Sequence, residues 1–412
     1  MISGALQPLY RKIALRLIPF LMLLYMVAFL DRINISFAAL TMNRDLGISD
    51  SLYGFAAGIF FLGYCLFEVP ANLMLARIGA RRWIAILLLG WGATSVATAF
   101  VVNRPQYVAA RFLLGVVESG FFPGVIFYLT LWLPRPLRAR MMALFLLAVP
   151  LCSCIGSPIS SHILSMDRVS GLAGWQWLFL LEGSPAVILG FVTWFVLADG
   201  PQTARWLTGN EKGQLESDLQ RDEAIERPES AVAWLHVVRA SVAYFMYSVG
   251  LYGLSFWMPK ILVAAGTTNI VSGWWAALPY GAGALAMALI SRFRGAGWLR
   301  AMYLLGAVGF AGVALFHSLP ITLLNFCFAS AGVFGALPLF WSATTARMSG
   351  KAAGAAIALV NSVGAVGGFT GPFVMGRLHD ATHSYAVGLC VIAGCLVLGA
   401  GAAPSNEIPA SA

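Results

Sequence analysis

Twelve long apolar stretches follow one another along this chain, and they constrain its fold more than any other feature. A helix needs about 20 residues to cross the hydrocarbon core of a bilayer, and each stretch is about that long. Membrane barrels show short alternating segments instead of continuous apolar runs. The sequence therefore predicts an all-α membrane protein with twelve transmembrane helices, called spans 1 to 12 below, at 17–40, 51–76, 83–103, 106–133, 141–164, 175–198, 239–260, 272–291, 299–317, 320–346, 352–376 and 384–403.

The composition excludes a water-soluble protein. Of the 412 residues, 59% are hydrophobic and 10% are charged, whereas a soluble domain carries about 25% charged residues. The net charge of +9 is spread over short basic clusters between the spans. This distribution is typical of membrane proteins and does not indicate a nucleic-acid partner. We expect the lipid bilayer as the surrounding medium and a monomer as the working unit.

One hydrophilic segment divides the chain into two sets of six spans. We expect an N-terminal six-helix bundle over 1–198, a cytoplasmic linker over 199–238 and a C-terminal six-helix bundle over 239–412. The loop after span 2, "ARIGARRW", and the loop after span 8, "SRFRGAGW", stand at corresponding places, as in a duplicated transporter bundle. Within the linker, Thr208 and Glu211 have the spacing of a capping box and predict a short surface helix. The rest of the linker is interpreted as solvated chain without a catalytic role.

Lysine and arginine are distributed unequally between the two sets of short loops. With a cytoplasmic N-terminus, the inner side carries fourteen of these residues and the outer side five. Such a bias is typical of cytoplasmic loops, so we expect a multi-pass protein of the inner (plasma) membrane with both termini in the cytoplasm. The inner residues are Arg11, Lys12, Arg16, Arg77, Arg81, Arg82, Arg135, Arg138, Arg140, Arg292, Arg294, Arg300, Arg347 and Lys351, and the outer ones are Arg44, Arg104, Arg168, Lys260 and Arg377.

Six ionisable residues lie inside the spans, and all belong to the N-terminal half: Asp31, Arg32, Glu68, Arg111, Glu118 and Glu182. A charge at membrane depth is costly, so such residues usually face a partner or a cavity. Asp31 and Arg32 point about 100° apart, and Arg111 and Glu118 lie two turns apart on one helix face. If spans 1 and 4 meet, these acids can pair with the arginines around a central cavity.

Two buried arginines exceed what helix packing requires, and the guanidinium group suits bidentate capture of a carboxylate. The alternative is that Asp31, Arg111 and Glu118 form internal salt bridges that only orient the helices. Glu68 and Glu182 are interpreted as structural residues.

The C-terminal spans contain uncharged polar and aromatic side chains instead of charged ones. Packing explains most single aromatic residues, but a buried amide such as Asn361 needs hydrogen-bond partners or a polar cavity. Six cysteines lie in apolar stretches without the spacing of a metal or redox site, and His379 with His383 lacks a further ligand cluster. We therefore expect no metal and no cofactor. The polar and aromatic candidates are Tyr244, Tyr252, Trp257, Tyr280, Trp341, Ser342 and Asn361.

Several segments together carry a family resemblance that covers nearly the whole chain in order. They are "LDRINISFA", "GYCLFEVPANLMLARIGARRW", "ARFLLGVVESGFFPGVIFYLTLWLP", "WQWLFLLEGSPA", "DGPQTARWL", "YGLSFWMPKIL" and "NSVGAVGGFTGP". With these segments the chain resembles the major facilitator superfamily, and within it the anion:cation symporters. That group includes bacterial tartrate, phthalate, hydroxyphenylacetate and galactonate permeases.

The resemblance implies a secondary transporter that takes up a small organic anion with protons, or with sodium, by alternating access. The anion is expected to be a sugar acid, a dicarboxylate or an aromatic acid. In this family Arg32 and Arg111 are implied to hold the substrate carboxylate, and Asp31 and Glu118 to carry the coupling proton. Further substrate contacts are expected from Tyr64, Trp341 and Asn361, with Tyr244 and Tyr252 of span 7 as additional candidates.

The chain departs from the family pattern at three places. Phe29 stands where relatives often have a tyrosine, which removes a hydroxyl and affects substrate choice. Ala76 replaces the acid that usually precedes the loop arginine, and the second-half loop "SRFRGAG" lacks that acid as well.

Two other functions stay open, and an enzyme is not expected. An exporter or antiporter of the same fold is one, although two buried arginines argue against a cationic substrate. A transport-inactive sensor is another. An intramembrane enzyme would need a nucleophile–base pair or a metal cluster at depth, and the spans contain no histidine paired with a deep serine or cysteine.

Overall fold

The computed structural model describes residues 8–224, 234–290, 292–293, 295–345 and 351–404. Within these ranges it has a helix at each of the twelve predicted spans. In the N-terminal half, spans 1, 4 and 5 each consist of two consecutive helices. The helices are Pro8–Ile33 with Ile35–Asp45, Asp50–Ile78, Ala80–Thr98, Arg104–Glu118 with Phe121–Thr130, Arg135–Leu146 with Ala148–Leu164, and Gly174–Val196.

Each span of the C-terminal half is a single helix. These helices are Trp234–Ala264, Asn269–Ile290, Ala296–Leu315, Leu319–Thr345, Lys351–Thr382 and Ala386–Ala402. Among the described residues, ten spans are long and apolar enough to cross a membrane. The other two are span 3, Ala80–Thr98, which begins with two arginines, and span 12, Ala386–Ala402, which has 17 residues. The all-helical fold predicted from the apolar stretches is confirmed.

The interruptions in spans 1 and 4 position the ionisable residues. Span 1 is interrupted at Asn34, so Arg32 lies in the last turn of its first helix. Span 4 is interrupted after Glu118, which is the last residue of its first helix. A cation is favourable at a helix C-terminus and an anion is not. Glu118 therefore needs a cationic partner at this place.

The helices form two groups that meet along a few pairs. Spans 3 and 6, 2 and 4, and 1 and 5 pack together in one half, and spans 9 and 10, 8 and 10, and 7 and 11 in the other. The halves contact each other through spans 2 and 11 and through spans 5 and 8. At Gly54 a Cβ would lie 2.2 Å from the carbonyl oxygen of Pro372. Only glycine permits this approach of the two backbones.

The linker helix, Gly209–Ala224, begins as the sequence predicts. The Glu211 N–H lies 3.3 Å from Thr208 Oγ1, and the Thr208 N–H donates to Glu211 Oε2 at 2.8 Å, which completes the capping box. Tyr10 donates to Asp218 at 2.7 Å, so the helix is held against the N-terminal half rather than surrounded by solvent. The linker stretch 225–233 lies outside the described residues. We call this end of the molecule the linker end and the opposite one, where spans 1 and 2 are joined, the distal end.

Candidate functional site

A small cavity lies between the two halves at the level of the ionisable residues. Its volume is about 100 Å³, which is enough to hold several water molecules. Arg32 is the one charged residue among the described residues of its lining. The other lining side chains are mainly aromatic or polar and come from both halves: Tyr25, Phe29, Phe61, Tyr64, Phe122, Tyr244, Tyr247, Ser248, Tyr252, Trp341 and Asn361. Six of the seven predicted substrate contacts therefore line one cavity.

Arg32 uses all three of its guanidinium nitrogens. Its Nε donates to Glu118 Oε1 at 3.1 Å, and Nη2 donates to the same oxygen at shorter range. Its Nη1 donates to the Tyr252 hydroxyl of span 7 at 3.0 Å. Glu118 is 1% exposed and is not part of the cavity lining. The charge of the cavity arginine is thus neutralised by a carboxylate that does not line the cavity.

Aromatic rings surround the same guanidinium group. Its Cζ lies 5.1 Å from the ring centre of Phe60 and 5.7 Å from those of Phe29 and Tyr64. Ring faces at such distances attract a cation and limit its movement. Tyr25, Phe29 and Arg32 share one face of span 1 because they are four and three residues apart. Tyr25 was not among the predicted site residues, although this spacing would have indicated it.

Arg111 does not line the cavity, although the sequence predicts that it binds substrate together with Arg32. It is 1% exposed, and its Nη2 donates to the backbone carbonyl of Arg32 at 3.1 Å. Its Cζ lies 5.5 Å from the Phe60 ring centre. The position has a simple cause, because Arg111 precedes Glu118 by seven residues and lies about 10 Å further along the helix. It is therefore closer to the distal end than the cavity is.

Asp31 does not form the predicted ion pair with the arginines. Its Oδ1 accepts a hydrogen bond from Ser95 Oγ at 2.7 Å, and Asn34 Nδ2 lies 3.5 Å from the same oxygen. Asp31 lies on another face of span 1 than Arg32, as the rotation of about 100° per residue requires. Only Glu118 of the two predicted acids contacts a buried arginine.

A second hydrogen bond crosses between the halves beside the cavity. Asn361 of span 11 donates from Nδ2 to Glu68 Oε1 of span 2 at 3.0 Å. The sequence predicts a structural contact for Glu68 and a substrate contact for Asn361, and here the two side chains bind each other. The aromatic wall of the C-terminal half stands beside them, with Tyr244 stacked on Phe340 at 4.9 Å and edge-on to Trp341 at 5.1 Å.

The distal end is closed by a set of polar contacts that we call the distal closure, formed by Asp50, Ser51, Lys260, His379 and Asp380. Lys260 donates to Asp50 Oδ1, and His379 Nδ1 lies 2.6 Å from Asp50 Oδ2. Asp380 accepts from the backbone N–H of Asp50 at 3.2 Å and of Ser51 at 2.8 Å. It therefore caps the N-terminus of span 2 from the other half. The spacing of Asp50, His379 and Asp380 would suit a metal ion, but these polar partners already occupy their oxygens.

The contacts between the halves are distributed unevenly along the membrane normal. Among the described residues, the hydrogen bonds between the halves lie either in the distal region, where Tyr53 also donates to the Phe256 carbonyl at 2.7 Å, or beside the cavity. The cavity is thus separated from the distal surface in this conformation.

The chain is similar to transporters along nearly its whole length. A family model described as Major Facilitator Superfamily matches residues 21–372. A protein named "Putative tartrate transporter" from Agrobacterium vitis is 44% identical over 400 residues, which cover 95% of this chain and 92% of that protein. "Inner membrane transport protein RhmT" of Escherichia coli K12 is 36% identical, with coverage of 97% and 95%. "Quinolone resistance transporter" of Acinetobacter baumannii is also 36% identical, with coverage of 94% and 92%.

The fold is shared with solved structures of more distant proteins. The inward-open structure of the xylose transporter XylE from E. coli superimposes with a TM-score of 0.77 over 96% of this chain and 98% of XylE. The sequences are 15% identical, so this likeness concerns the architecture alone.

Proposed function

The chain belongs to the Major Facilitator Superfamily, and we propose that it carries a small organic anion across the inner membrane together with protons. It is a multi-pass membrane transporter and not an enzyme. One observation carries the proposal. Among the described residues, Arg32 is the one charged side chain that lines the cavity, and its counter-ion Glu118 lies outside the lining. A carboxylate that enters the cavity can therefore compete with Glu118 for the Arg32 guanidinium.

The cavity chemistry favours a hydroxylated carboxylate such as tartrate. Arg32 supplies a fork for one carboxylate, and the hydroxyls of Tyr64, Tyr244 and Tyr252 can donate to or accept from substrate hydroxyls. The name of the A. vitis relative points to the same substrate class. The volume of about 100 Å³ also favours a small acid over a bulky one.

Proton coupling follows from the competition for Arg32. When Glu118 is ionised, its carboxylate binds Arg32 and opposes a second anion. When Glu118 is protonated, Arg32 keeps its charge and is free to bind substrate. Loss of that proton restores the Arg32–Glu118 pair and expels the substrate. Asp31, buried on the other face of span 1, is proposed as a further proton carrier.

Alternating access requires the contacts between the halves to break on one side of the cavity while they form on the other side. The distal closure must open to admit substrate from outside, which is the distal side in the proposed orientation. Arg111 lies between the cavity and this closure, so an opened distal end would expose it first. The bonds of Arg32 to Tyr252 and of Asn361 to Glu68 would then re-form around the bound anion.

Uptake by proteoliposomes tests the proposal. Purified protein is reconstituted with an acidic exterior and a neutral interior, and accumulation of labelled L-tartrate is followed beside gluconate and benzoate. We expect accumulation of at least one of these acids that collapses with a protonophore and does not need sodium. Uptake that is indifferent to the imposed pH gradient would contradict proton coupling, and binding without flux would favour a sensor.

An exporter is the second candidate, because the quinolone resistance transporter of A. baumannii is 36% identical over nearly the same length. Quinolones carry a carboxylate that Arg32 could also bind. Everted vesicles distinguish the two functions. Proton-driven quinolone accumulation in everted vesicles, without tartrate uptake in right-side-out vesicles, would replace the uptake proposal.

A further inference from the structure

A second buried carboxylate lies in the N-terminal half, away from the cavity. Glu182 of span 6 is 3% exposed. Its Oε1 accepts a hydrogen bond from Ser160 Oγ of span 5 at 2.6 Å. Its Oε2 is buried and has no hydrogen-bond partner among the described residues.

Asp31 repeats this arrangement. It is 1% exposed, Oδ1 accepts from Ser95 Oγ, and Oδ2 has no partner in the described part of the chain. The Asn34 amide connects the two acids, since Nδ2 lies 3.5 Å from Asp31 Oδ1 and the Glu182 carboxyl is a second neighbour of the same amide. Asp31 and Glu182 are also close enough to interact electrostatically. They form one cluster with two hydroxyl donors, with the Trp91 indole as a further neighbour of Asp31, and with one oxygen on each acid that has no hydrogen-bond partner among the described residues.

The charges around this cluster do not neutralise it. Arg32 is occupied by Glu118 and Tyr252, and Arg111 donates to a backbone carbonyl. Glu118 acts on Asp31 as a further negative neighbour, and the Cys152 thiol of span 5 lies near both acids. Neither Asp31 nor Glu182 forms a salt bridge with any described residue.

Spans 3 and 6 pack so closely that the Ser95 donor is held in place. At Gly183, next to Glu182, a Cβ would lie 2.9 Å from both Cβ and Oγ of Ser95. Two ionised carboxylates that are buried and have no salt bridge with a described residue are strongly disfavoured. A proton on one of the unpaired oxygens removes a charge and supplies a donor.

The cluster also lies beside a contact between the two halves of the molecule. Asn34 stands between the two helices of span 1, and the second of them, Ile35–Asp45, packs against span 7 of the other half. A change of charge at Asp31 and Glu182 therefore acts where span 1 meets the C-terminal half.

We propose that Glu182 and Asp31 form a second proton-binding pair, distinct from Glu118, whose proton is held on Asp31 Oδ2 or Glu182 Oε2 and exchanged during the transport cycle. Only the link to the cycle rests on the proposed function. Proton binding itself is a property of the pair and is measured without substrate. Because the acids interact, they titrate as a pair and not as independent groups.

Infrared difference spectroscopy of the full-length protein in nanodiscs tests the binding step. In a pH titration without any organic acid, the wild type is expected to show the carbonyl stretch of buried protonated carboxyls. Glu182→Gln should remove the component of Glu182 and shift that of Asp31. Asp31→Asn should remove the component of Asp31 and shift that of Glu182. Glu216→Gln changes an exposed linker carboxylate and should leave these bands unaltered. Identical spectra for Glu182→Gln and the wild type would overturn the proposal.

Two further measurements are controls. One uses a variant that keeps both acids, and the other tests whether sodium binds in place of the proton. Ser160→Ala keeps both acids but removes a donor to the ionised form, so the carbonyl band should persist to higher pH. Replacing choline chloride by sodium chloride at constant pH should change nothing. Loss of the band on adding sodium would overturn the proton assignment.

The link to transport has its own readout. With a pH-sensitive dye and L-tartrate in proteoliposomes, Glu182→Gln should lower the number of protons that enter per tartrate, whereas Glu216→Gln should not. An unchanged ratio would contradict the exchange of this proton in the cycle. Absence of tartrate flux in the wild type would instead contradict the proposed substrate, and the infrared titration would still decide the proton site.

Discussion

Arg32 and Tyr252 join the two halves of the molecule across the cavity, with Arg32 Nη1 3.0 Å from the Tyr252 hydroxyl. Arg32 also holds Glu118 through its other nitrogens. One side chain therefore contacts Glu118 in its own half and span 7 in the other half, and it also lines the cavity. This relationship explains how a proton in one half could alter the contact between both halves.

Tyr252→Phe should impair transport more than stability. The substitution keeps the ring, which contacts Phe61 at 4.2 Å between centroids, and removes the hydroxyl that binds Arg32. A hydrogen bond to a charged group contributes about 1.5–3 kcal/mol, so we expect tartrate exchange to slow about tenfold or more. Tyr303→Phe is the control, because its hydroxyl bonds Ala243 within one half. Equal losses in both variants would exclude a specific role for the Arg32–Tyr252 bond.

Glu118→Gln should separate binding from proton coupling. The amide cannot ionise, so the competition for Arg32 that depends on pH disappears. We expect tartrate affinity in alkaline buffer to rise towards the value that the wild type has in acid. Counterflow should persist, while accumulation driven by a pH gradient should be lost. Isothermal titration and paired flux assays measure both effects, and a variant that still accumulates tartrate would exclude Glu118 as a coupling residue.

Arg32→Lys should lower the affinity for tartrate more than Arg111→Lys does. Lysine keeps the charge but loses the fork, so Arg32→Lys should weaken tartrate binding about tenfold or more. Arg111 contacts the Arg32 carbonyl and not the cavity, so its variant should lose less affinity and more thermal stability. Dissociation constants and Tm values of both purified proteins make the comparison. Equal loss of affinity would mean that Arg111 contacts the bound anion directly.

The positions of the helices could be predicted from the sequence because the length of an apolar run is a local property. The capping box at Thr208 and Glu211 is local as well, and the helix begins there. The partners of Asp31 and Arg111 could not be predicted, because the rotation of a span about its axis is decided by every helix packed against it. Glu182 could not be distinguished from a structural acid in the sequence, because its neighbours Ser160 and Asn34 lie on other spans.

The contact between the start of the linker helix and the N-terminal half should weaken in acid. The hydrogen bonds from Lys12 and from the Thr208 N–H lower the pKa of the Glu211 carboxyl, which is partly exposed. A lowered pKa means that the contact is complete above the ordinary glutamate pKa and is lost as the pH falls through the lowered value. A spin label at Gly213, where no neighbouring atom lies within 4 Å, should become more mobile over that range.

Lys12→Met tests the cause of this pH dependence. Without the ammonium group, the mobility change should occur at higher pH. Lys212→Met is the matched control, since Lys212 Nζ donates to the Gln202 carbonyl and forms no salt bridge with a described acid. A transition that is the same in both variants and the wild type would show that Glu211 does not hold the linker helix.

Gly376→Ala should weaken the distal closure. A Cβ at Gly376 would lie 2.1 Å from the Asp50 carbonyl oxygen and 3.2 Å from the Ser51 Cα. Ordinary contacts between such atoms need about 3.5 Å, so spans 2 and 11 must separate by roughly 1 Å at their distal ends. Asp380 would then lose its hydrogen bonds to the Asp50 and Ser51 amides, and the conformation open at the distal end would become more populated.

Hydrogen–deuterium exchange of the peptide around Ser51 measures this change and should become faster in Gly376→Ala. Gly394→Ala, which has open space for its methyl group, should leave the exchange unchanged. Unaltered protection in Gly376→Ala would mean that the Asp380 cap does not depend on this close approach.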